Sequence, residues 1–178
     1  MSGTTTNNGW TYPTSTDLVT NGATAIQTLA TGIDTSVGTG LLAWQDFDTF
    51  TVGGTGWNFG STATKNGRYV QLGKLIHFDY QITAGGTGIA AGSGGLTLTL
   101  PVSANTNTTE FLSNGILSDD SAGINYAIAS QISSTTMNIV IHAVSGTNIR
   151  YSSLTSTSIP AALATADTLR ISGWYEAA

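Results

Sequence analysis

The sequence predicts a mainly β chain: an antiparallel β-sandwich or jelly-roll head that follows a short N-terminal helix. The strongest signal is the alternation in residues 75–83, where every second residue is apolar. Because successive side chains of a strand point to opposite faces, such a run is typical of a half-buried strand. Its predicted core-facing residues are Ile76, Phe78, Tyr80 and Ile82. Similar short runs recur through residues 39–178 between Gly- and Ser-rich connectors, as in sandwiches, jelly rolls and barrels.

The first element, residues 1–20, is a polar segment with two apolar anchors. These anchors are Trp10 and the Tyr12–Pro13 pair. Polar termini are commonly disordered, but aromatic residues in such a segment favour docking on another surface. We therefore treat residues 1–20 as an arm and Trp10, Tyr12 and Pro13 as its candidate attachment residues.

Residues 21–38 contain the one convincing helical pattern. Asn21 or Asp17 can serve as the N-cap, and Gly38 suits the C-terminal stop. One stripe of the helix is apolar and comprises Ile26, Leu29, Ala30, Ile33 and Val37. A helix this short is marginal alone, so the stripe must be buried on the β domain or on copies of itself. Isoleucine-rich seams favour three-stranded coiled coils over two-stranded ones.

Residues 39–178 are predicted to form the head. Strands are expected near residues 47–52, 68–73, 75–83, 96–100, 110–118, 124–131, 136–143, 148–152 and 168–175. Gly73–Lys74 should form a turn or a bulge between two of them. In the last strand Leu169 and Ile171 alternate, and Trp174 joins their face at an alternating or bulged position.

Composition narrows the function classes. Charged residues are 8% of the chain and the net charge is −5, with the five basic residues scattered. Nucleic-acid grooves and membrane-binding patches require clustered Lys and Arg, so we expect neither partner. There are no cysteines, which excludes disulfides and Cys-based metal sites. We expect no secretory signal, because the first ten residues have no basic start and no apolar run, and no membrane insertion.

Few residues suggest chemistry. His77 and His142 are interpreted as structural or surface side chains, because no carboxylate lies at a metal-binding spacing. Asp119–Asp120 lacks the longer acidic series of a calcium loop, and a turn with Asx hydrogen bonds is the better interpretation. No nucleophile elbow or phosphate loop is present. We therefore predict no enzyme activity, no cofactor and no metal.

Several aromatic residues could stack on a sugar. Trp44 belongs to this group, and Trp57, Phe59 and Tyr151 are the candidate glycan-stacking residues, since aromatic side chains beside Asn and Gly are common in lectin-like domains. The competing interpretation for each of them is packing in the core or at a subunit interface.

Four sequence blocks carry a resemblance to a known family. They are GWTYPTSTDLVTNGATAIQTLATGIDTSV, NGRYVQLGKLIHFDYQITAGGTG, LTLTLPVSA and DTLRISGWYEAA. In these blocks the chain resembles short virion surface proteins of tailed bacteriophages, especially actinobacteriophages: minor tail, tail-fibre, head-fibre or capsid decoration proteins. The first block is the most specific, because its Tyr-Pro, Asp17 and Gly22-Ala-x-Ala-Ile pattern follows the family's order.

The resemblance implies a homotrimer with its helices bundled about a threefold axis and a β-sandwich or jelly-roll head. It implies no enzyme activity and no cofactor. The expected partners are other virion proteins of the capsid or tail, with a host-surface glycan as a further expectation. The chain would be assembled in the host cytoplasm and act on the virion surface, with residues 1–20 attached and residues 39–178 outward. The alternative is a free carbohydrate-binding, lectin-like module.

Overall fold

A computed structural model describes most of the chain: residues 2–6, 9–14, 21–35, 37, 43–105, 113–145, 147–159 and 162–178. The chain consists of two compact units, residues 1–43 and residues 44–178. The helix α1 is Gly22–Thr35. The strands are β1 (Ser2–Thr4), β2 (Thr11–Pro13), β3 (Gln45–Asp46), β4 (Val52–Gly53), β5 (Thr64–Leu72), β6 (Leu75–Thr83), β7 (Thr97–Thr99), β8 (Ser113–Asp119), β9 (Ile124–Ile132), β10 (Thr136–Ser145), β11 (Asn148–Ser153) and β12 (Thr168–Glu176).

The first unit is a small hairpin packed on the helix. β1 and β2 pair antiparallel, and β2 lies against α1. Trp10 covers the helix at Gly32, where a built Cβ would lie 3.5 Å from Trp10 Cδ1. The helix runs close to its predicted bounds, whereas the proposed cap Asp17 and stop Gly38 lie outside the described residues.

The second unit is one antiparallel sheet in the order β3-β5-β6-β12-β8-β9-β10-β7-β4, with β11 also paired to β10. Only residues 47–51 separate β3 from β4 along the chain, and a stretch of this length reaches at most about 20 Å. The sheet therefore curls until its two ends approach each other. The prediction of a mainly β, antiparallel head is confirmed, while the sandwich or jelly-roll arrangement stays a prediction.

The link between β3 and β4 fills the interior of the curl. Phe50 is fully buried and its ring meets the Tyr80 ring edge-on at 4.7 Å. The Tyr80 hydroxyl donates to the carbonyl oxygen of Thr99 at 2.9 Å, which ties β6 to β7 across the core. Gly67 leaves room for this link, since a Cβ there would lie 2.6 Å from the carbonyl oxygen of Phe47. The predicted strand near 47–52 is therefore wrong: its aromatic residues belong to a turn that fills the core.

The β5–β6 hairpin follows the sequence pattern closely. Leu72 pairs with Leu75, and Gly73–Lys74 form the two-residue turn between them. Gly73 has a φ of 60°, as the first central position of a type II′ turn requires. Ile76, Phe78, Tyr80 and Ile82 are all buried, as predicted. The remaining predicted strands form at or near the expected positions, although residues 110–112 lie outside the described chain.

The final strand differs from the prediction at one residue. β12 alternates without a bulge, so Leu169, Ile171 and Tyr175 face the core. Trp174 therefore points to the opposite face and is 52% exposed. The prediction that Trp174 shares the face of Leu169 is wrong, because Gly173 continues the regular alternation.

Candidate functional site

The outer face of β5, β6, β12 and β8 carries the most distinctive group of exposed side chains. The register places Arg68, Asp79, Ser172 and Asn114 directly opposite one another in a row across the four strands. A second row, Val70, His77 and Trp174, lies beside it. Since neighbouring strands are about 4.8 Å apart, the first row spans about 14 Å.

A groove with a volume of about 530 Å³ runs over this face, and we call it the central groove. Its lining residues are Asp79, Asn114, Gly115, Ile116, Ser118, Asn125, Thr168, Arg170, Ile171 and Ser172. The floor consists largely of short polar side chains on β8 and β12. Longer side chains, such as those of Arg170 and Ile116, rise beside them. The volume falls in the range of ligand pockets, about 300–1,000 Å³.

Gly115 sets the floor of the central groove. It lies opposite Ile171 in the β8–β12 pairing, and a Cβ at this position would collide with the carbonyl oxygen of Arg170. The absence of a side chain therefore lets the two strands approach closely under the groove.

Beside the central groove lies a cluster of Trp44, Arg68, His77 and Asp79, which we call the Trp44 cluster. The Arg68 guanidinium lies 4.6 Å from the centre of the Trp44 ring. The same guanidinium donates from Nε and Nη2 to Asp79 Oδ2, at 3.1 and 2.9 Å. The Trp44 and His77 rings are 5.2 Å apart. These contacts fix the Asp79 carboxylate at the wall of the groove.

Arg170 is the second cation of this face. It is exposed, lies opposite Gln81 and Ile116 in the sheet, and has no salt bridge within the described part of the chain. The charge of Asp79 is compensated by Arg68. The central groove therefore contains one cation whose charge is not paired.

The three predicted glycan-stacking residues do not form one surface. Phe59 is buried in the core at 5% exposure. Trp57 stacks on Phe59 at 6.1 Å and donates its indole N–H to the carbonyl oxygen of Gly94. Tyr151 is exposed on β11 and meets His142 edge-on at 4.8 Å. Phe59 is thus unavailable for stacking on a ligand, and Tyr151 is the most exposed of the three.

The predicted trimer residues form a ridge on α1 and on Val37 just beyond its end, and most of this ridge is exposed in the part of the chain that the structure describes; we call it the uncovered ridge. Ile26 is 61% exposed, Ile33 is 38% exposed and Val37 is 47% exposed. Ala30 is exposed as well, and Leu29 is half-buried. The hairpin covers the flank of the helix that carries Gly32 and leaves the larger aliphatic side chains open.

The predicted attachment residues also belong to the first unit. Trp10 is half-buried on the helix, whereas Tyr12 is 39% exposed and lies over Gly3. The backbone of Pro13 ends β2. Tyr12 is therefore the more accessible of the two aromatic residues.

The acidic turn after β8 behaves as the Asx interpretation predicts. Asp119 Oδ1 accepts hydrogen bonds from the Ser121 hydroxyl and the Ala122 N–H, at 2.8 and 2.9 Å. These bonds hold the pKa of Asp119 below its ordinary value. Within the described ranges no three His, Cys, Asp or Glu side chains are placed to hold a metal ion.

Sequence reasoning missed the central groove, although it assigned some of its residues to the outward face. Alternation in β6 marks Asp79, at the wall of the groove, and His77, in the neighbouring Trp44 cluster, as outward. The partners on β8 and β12 are distant in sequence, and only strand pairing brings them together.

Comparisons of the chain with protein-family models, curated proteins and solved structures find no match. In the described part of the chain, no helix has the length and apolar character needed to cross a bilayer. The resemblance to phage virion proteins accordingly stays a prediction.

Proposed function

We propose that the chain is a structural protein of a phage virion: a homotrimeric surface fibre or decoration protein. In this proposal residues 1–20 attach to other virion proteins of the capsid or tail, and α1 trimerises as a coiled coil. The β head, a β-sandwich or jelly roll in its finer architecture, faces outward. Adhesion to a host-surface glycan is the role we propose for the head.

The observation that carries the proposal is the uncovered ridge of α1. Ile26 and Ile33 are one heptad apart, and both are exposed together with Val37. Covering side chains of this size contributes on the order of 1–2 kcal/mol each. A 14-residue helix is marginal alone, and the β1–β2 hairpin packs on the flank that carries Gly32 rather than on the ridge. Copies of the same helix supply a matching apolar surface. Isoleucine at the core positions of a coiled coil favours a trimer over a dimer.

The alternative, a free carbohydrate-binding module, is favoured by one observation: the polar groove on the outer face of the head. It does not account for the ridge on α1. Detection of the protein in purified phage particles by mass spectrometry and immunogold labelling supports the virion role. A monomeric protein absent from the particles would favour the free module.

The oligomer is tested by charge substitution on the ridge. Replacing Ile26 and Ile33 with Asp should convert the trimer into monomers or aggregates, because unpaired charges in a dry seam cost several kcal/mol. The matched control places the same two charges on the polar side of the helix, as Gln27→Asp with Thr31→Asp, and should remain trimeric. Light scattering coupled to gel filtration measures both.

Either of two results would contradict this arrangement. One is a wild-type mass of a single subunit. The other is an unchanged trimer in the Ile26/Ile33 variant, which would place the subunit contacts elsewhere in the chain.

A further inference from the structure

We propose that the central groove binds a saccharide that carries a carboxylate, such as a uronic or sialic acid. This inference rests on the proposed function, since it names the ligand class and the site of the outward-facing head. It differs from the three stacking residues predicted from the sequence, because it lies on the outer face of β5, β6, β12 and β8.

The polar lining of the groove suits a polyhydroxylated ligand. Asn114 and Asn125 provide amide groups, each with donors and an acceptor, and Ser118, Thr168 and Ser172 provide hydroxyls. Sugar hydroxyls also donate and accept, so such a set can satisfy them without a change in protein charge. Oδ1 of Asp79 is a further acceptor, because the Arg68 bonds engage only Oδ2.

The charge of the groove favours an anionic ligand. Arg68 is already held by Asp79 and the Trp44 ring. Arg170 is exposed at the groove and pairs with no carboxylate of the described chain. A planar guanidinium binds a carboxylate through two parallel N–H···O bonds, which supplies both strength and orientation. Arg170 is thus the residue that we assign to the ligand carboxylate.

An exposed indole lies beside the groove. Trp174 lies in the same strand as Ser172 and Arg170 and shares their face, with 52% of its surface exposed. Its amphipathic ring can cover the apolar C–H face of a sugar while its N–H remains free for a hydroxyl. We assign Trp174 to packing against the ring next to the acidic sugar.

The lining argues against a second copy of the chain as the occupant. Asn114, Asn125, Ser172 and Arg170 would all be desolvated in a subunit contact, and each unpaired group would cost free energy. The cores of subunit interfaces are depleted of charged residues. A small hydrated ligand can satisfy these groups one by one.

The test uses the full-length protein and three probes: trigalacturonic acid, sialyllactose and the methyl ester of trigalacturonic acid. The ester keeps the hydroxyls and removes the charge. Binding is followed by titration calorimetry and by chemical-shift changes of the ligand. A single site is expected to be weak, and multivalency across copies would strengthen attachment to a surface.

At least one of the two acids should bind, and Arg170→Gln should weaken that binding about tenfold or more, as loss of a charge-assisted pair predicts. The matched control is Arg150→Gln, since Arg150 is an exposed arginine on β11, away from the groove. That variant should bind as the wild type does. Trp174→Ala should also weaken binding.

Three results would overturn the proposal: no binding of either acid at millimolar concentration, equal binding of the ester and the acid, or equal loss in the Arg150 and Arg170 variants. These results leave the virion role untouched, because that role is tested on particles. Conversely, absence from particles with Arg170-dependent binding would refute only the virion role.

Accessibility of the groove is measured separately. The chain has no cysteines, so Ser172→Cys provides a single thiol for maleimide labelling. Rapid labelling of the Ser172→Cys oligomer, slowed by the bound acid, is expected. Blocked labelling without ligand would show that another subunit covers the groove and would overturn the proposal.

Discussion

Replacing Phe78 with Ala should be among the most destabilising single changes in the head. Phe78 is fully buried in the middle of β6. Its ring lies 5.6 Å from the Tyr80 ring and 5.9 Å from the Tyr175 ring. Truncation to Ala would leave a cavity between these two tyrosines and remove both ring contacts.

The expected loss follows from large-to-small substitutions in packed cores. Phe→Ala changes in such sites cost about 3–5 kcal/mol. For a chain of this size, 1 kcal/mol lowers the melting temperature by about 2–4 °C, so the expected decrease is roughly 6–20 °C. His77→Ala is the matched control, because His77 is the adjacent residue of the same strand and points outward. It should cost less than about 1 kcal/mol.

Thermal and urea denaturation of the full-length protein, followed by tryptophan fluorescence, measure both variants. The reasoning would be refuted by a loss below about 1 kcal/mol for Phe78→Ala. Equal losses for Phe78→Ala and His77→Ala would refute the assignment of β6 faces as well.

Two further predictions concern pH and attachment. Burial raises the pKa of Tyr175 to about 12, although the hydrogen bond that its oxygen accepts from the Val102 N–H opposes the shift. Because the unfolded phenol ionises near pH 10, Tyr175 should lower stability between about pH 10 and 12 by roughly 2–3 kcal/mol, in addition to the loss from Tyr80, whose pKa is also raised by burial. In urea titrations Tyr175→Phe should reduce the slope of stability against pH, and an unchanged slope would contradict the assignment. Deleting residues 1–15 should leave a folded trimer that no longer joins phage particles, as scored by particle sedimentation. Tyr12→Ser should weaken incorporation while preserving the contact of Trp10 with the helix; normal incorporation of the truncated protein would place attachment elsewhere.

The sequence predicts the strands well where alternation is strict. In β6 every second residue must be apolar to face the core, and this constraint is visible without knowledge of the partner strands. The aromatic residues Phe47 and Phe50 mislead the same reasoning, because they enter the core from a turn. Trp174 also misleads sequence reasoning, because a large apolar side chain is expected on the inner face of the sheet, whereas regular alternation places Trp174 on the outer face.

The central groove could not be predicted because it depends on strand order. Alternation assigns Asp79 to the outward face, but it does not indicate that Ser172 and Asn114 lie in the same row. That row forms because β12 inserts between β6 and β8. The uncovered ridge of α1 is easier to predict. Its residues lie within one continuous segment, so the helical periodicity of the sequence is sufficient to identify them.

The position of β12 has a consequence for biosynthesis. It is the last of the described strands to leave the ribosome, yet it occupies the middle of the sheet. Until β12 is made, β6 and β8 each present an unpaired edge, and such edges recruit strands from other chains. The head can therefore complete its sheet only once β12 has been made, through contacts distant in sequence that form slowly. Slower elongation would lengthen the interval in which nascent chains on one polysome can aggregate, so yield should depend on chaperone supply.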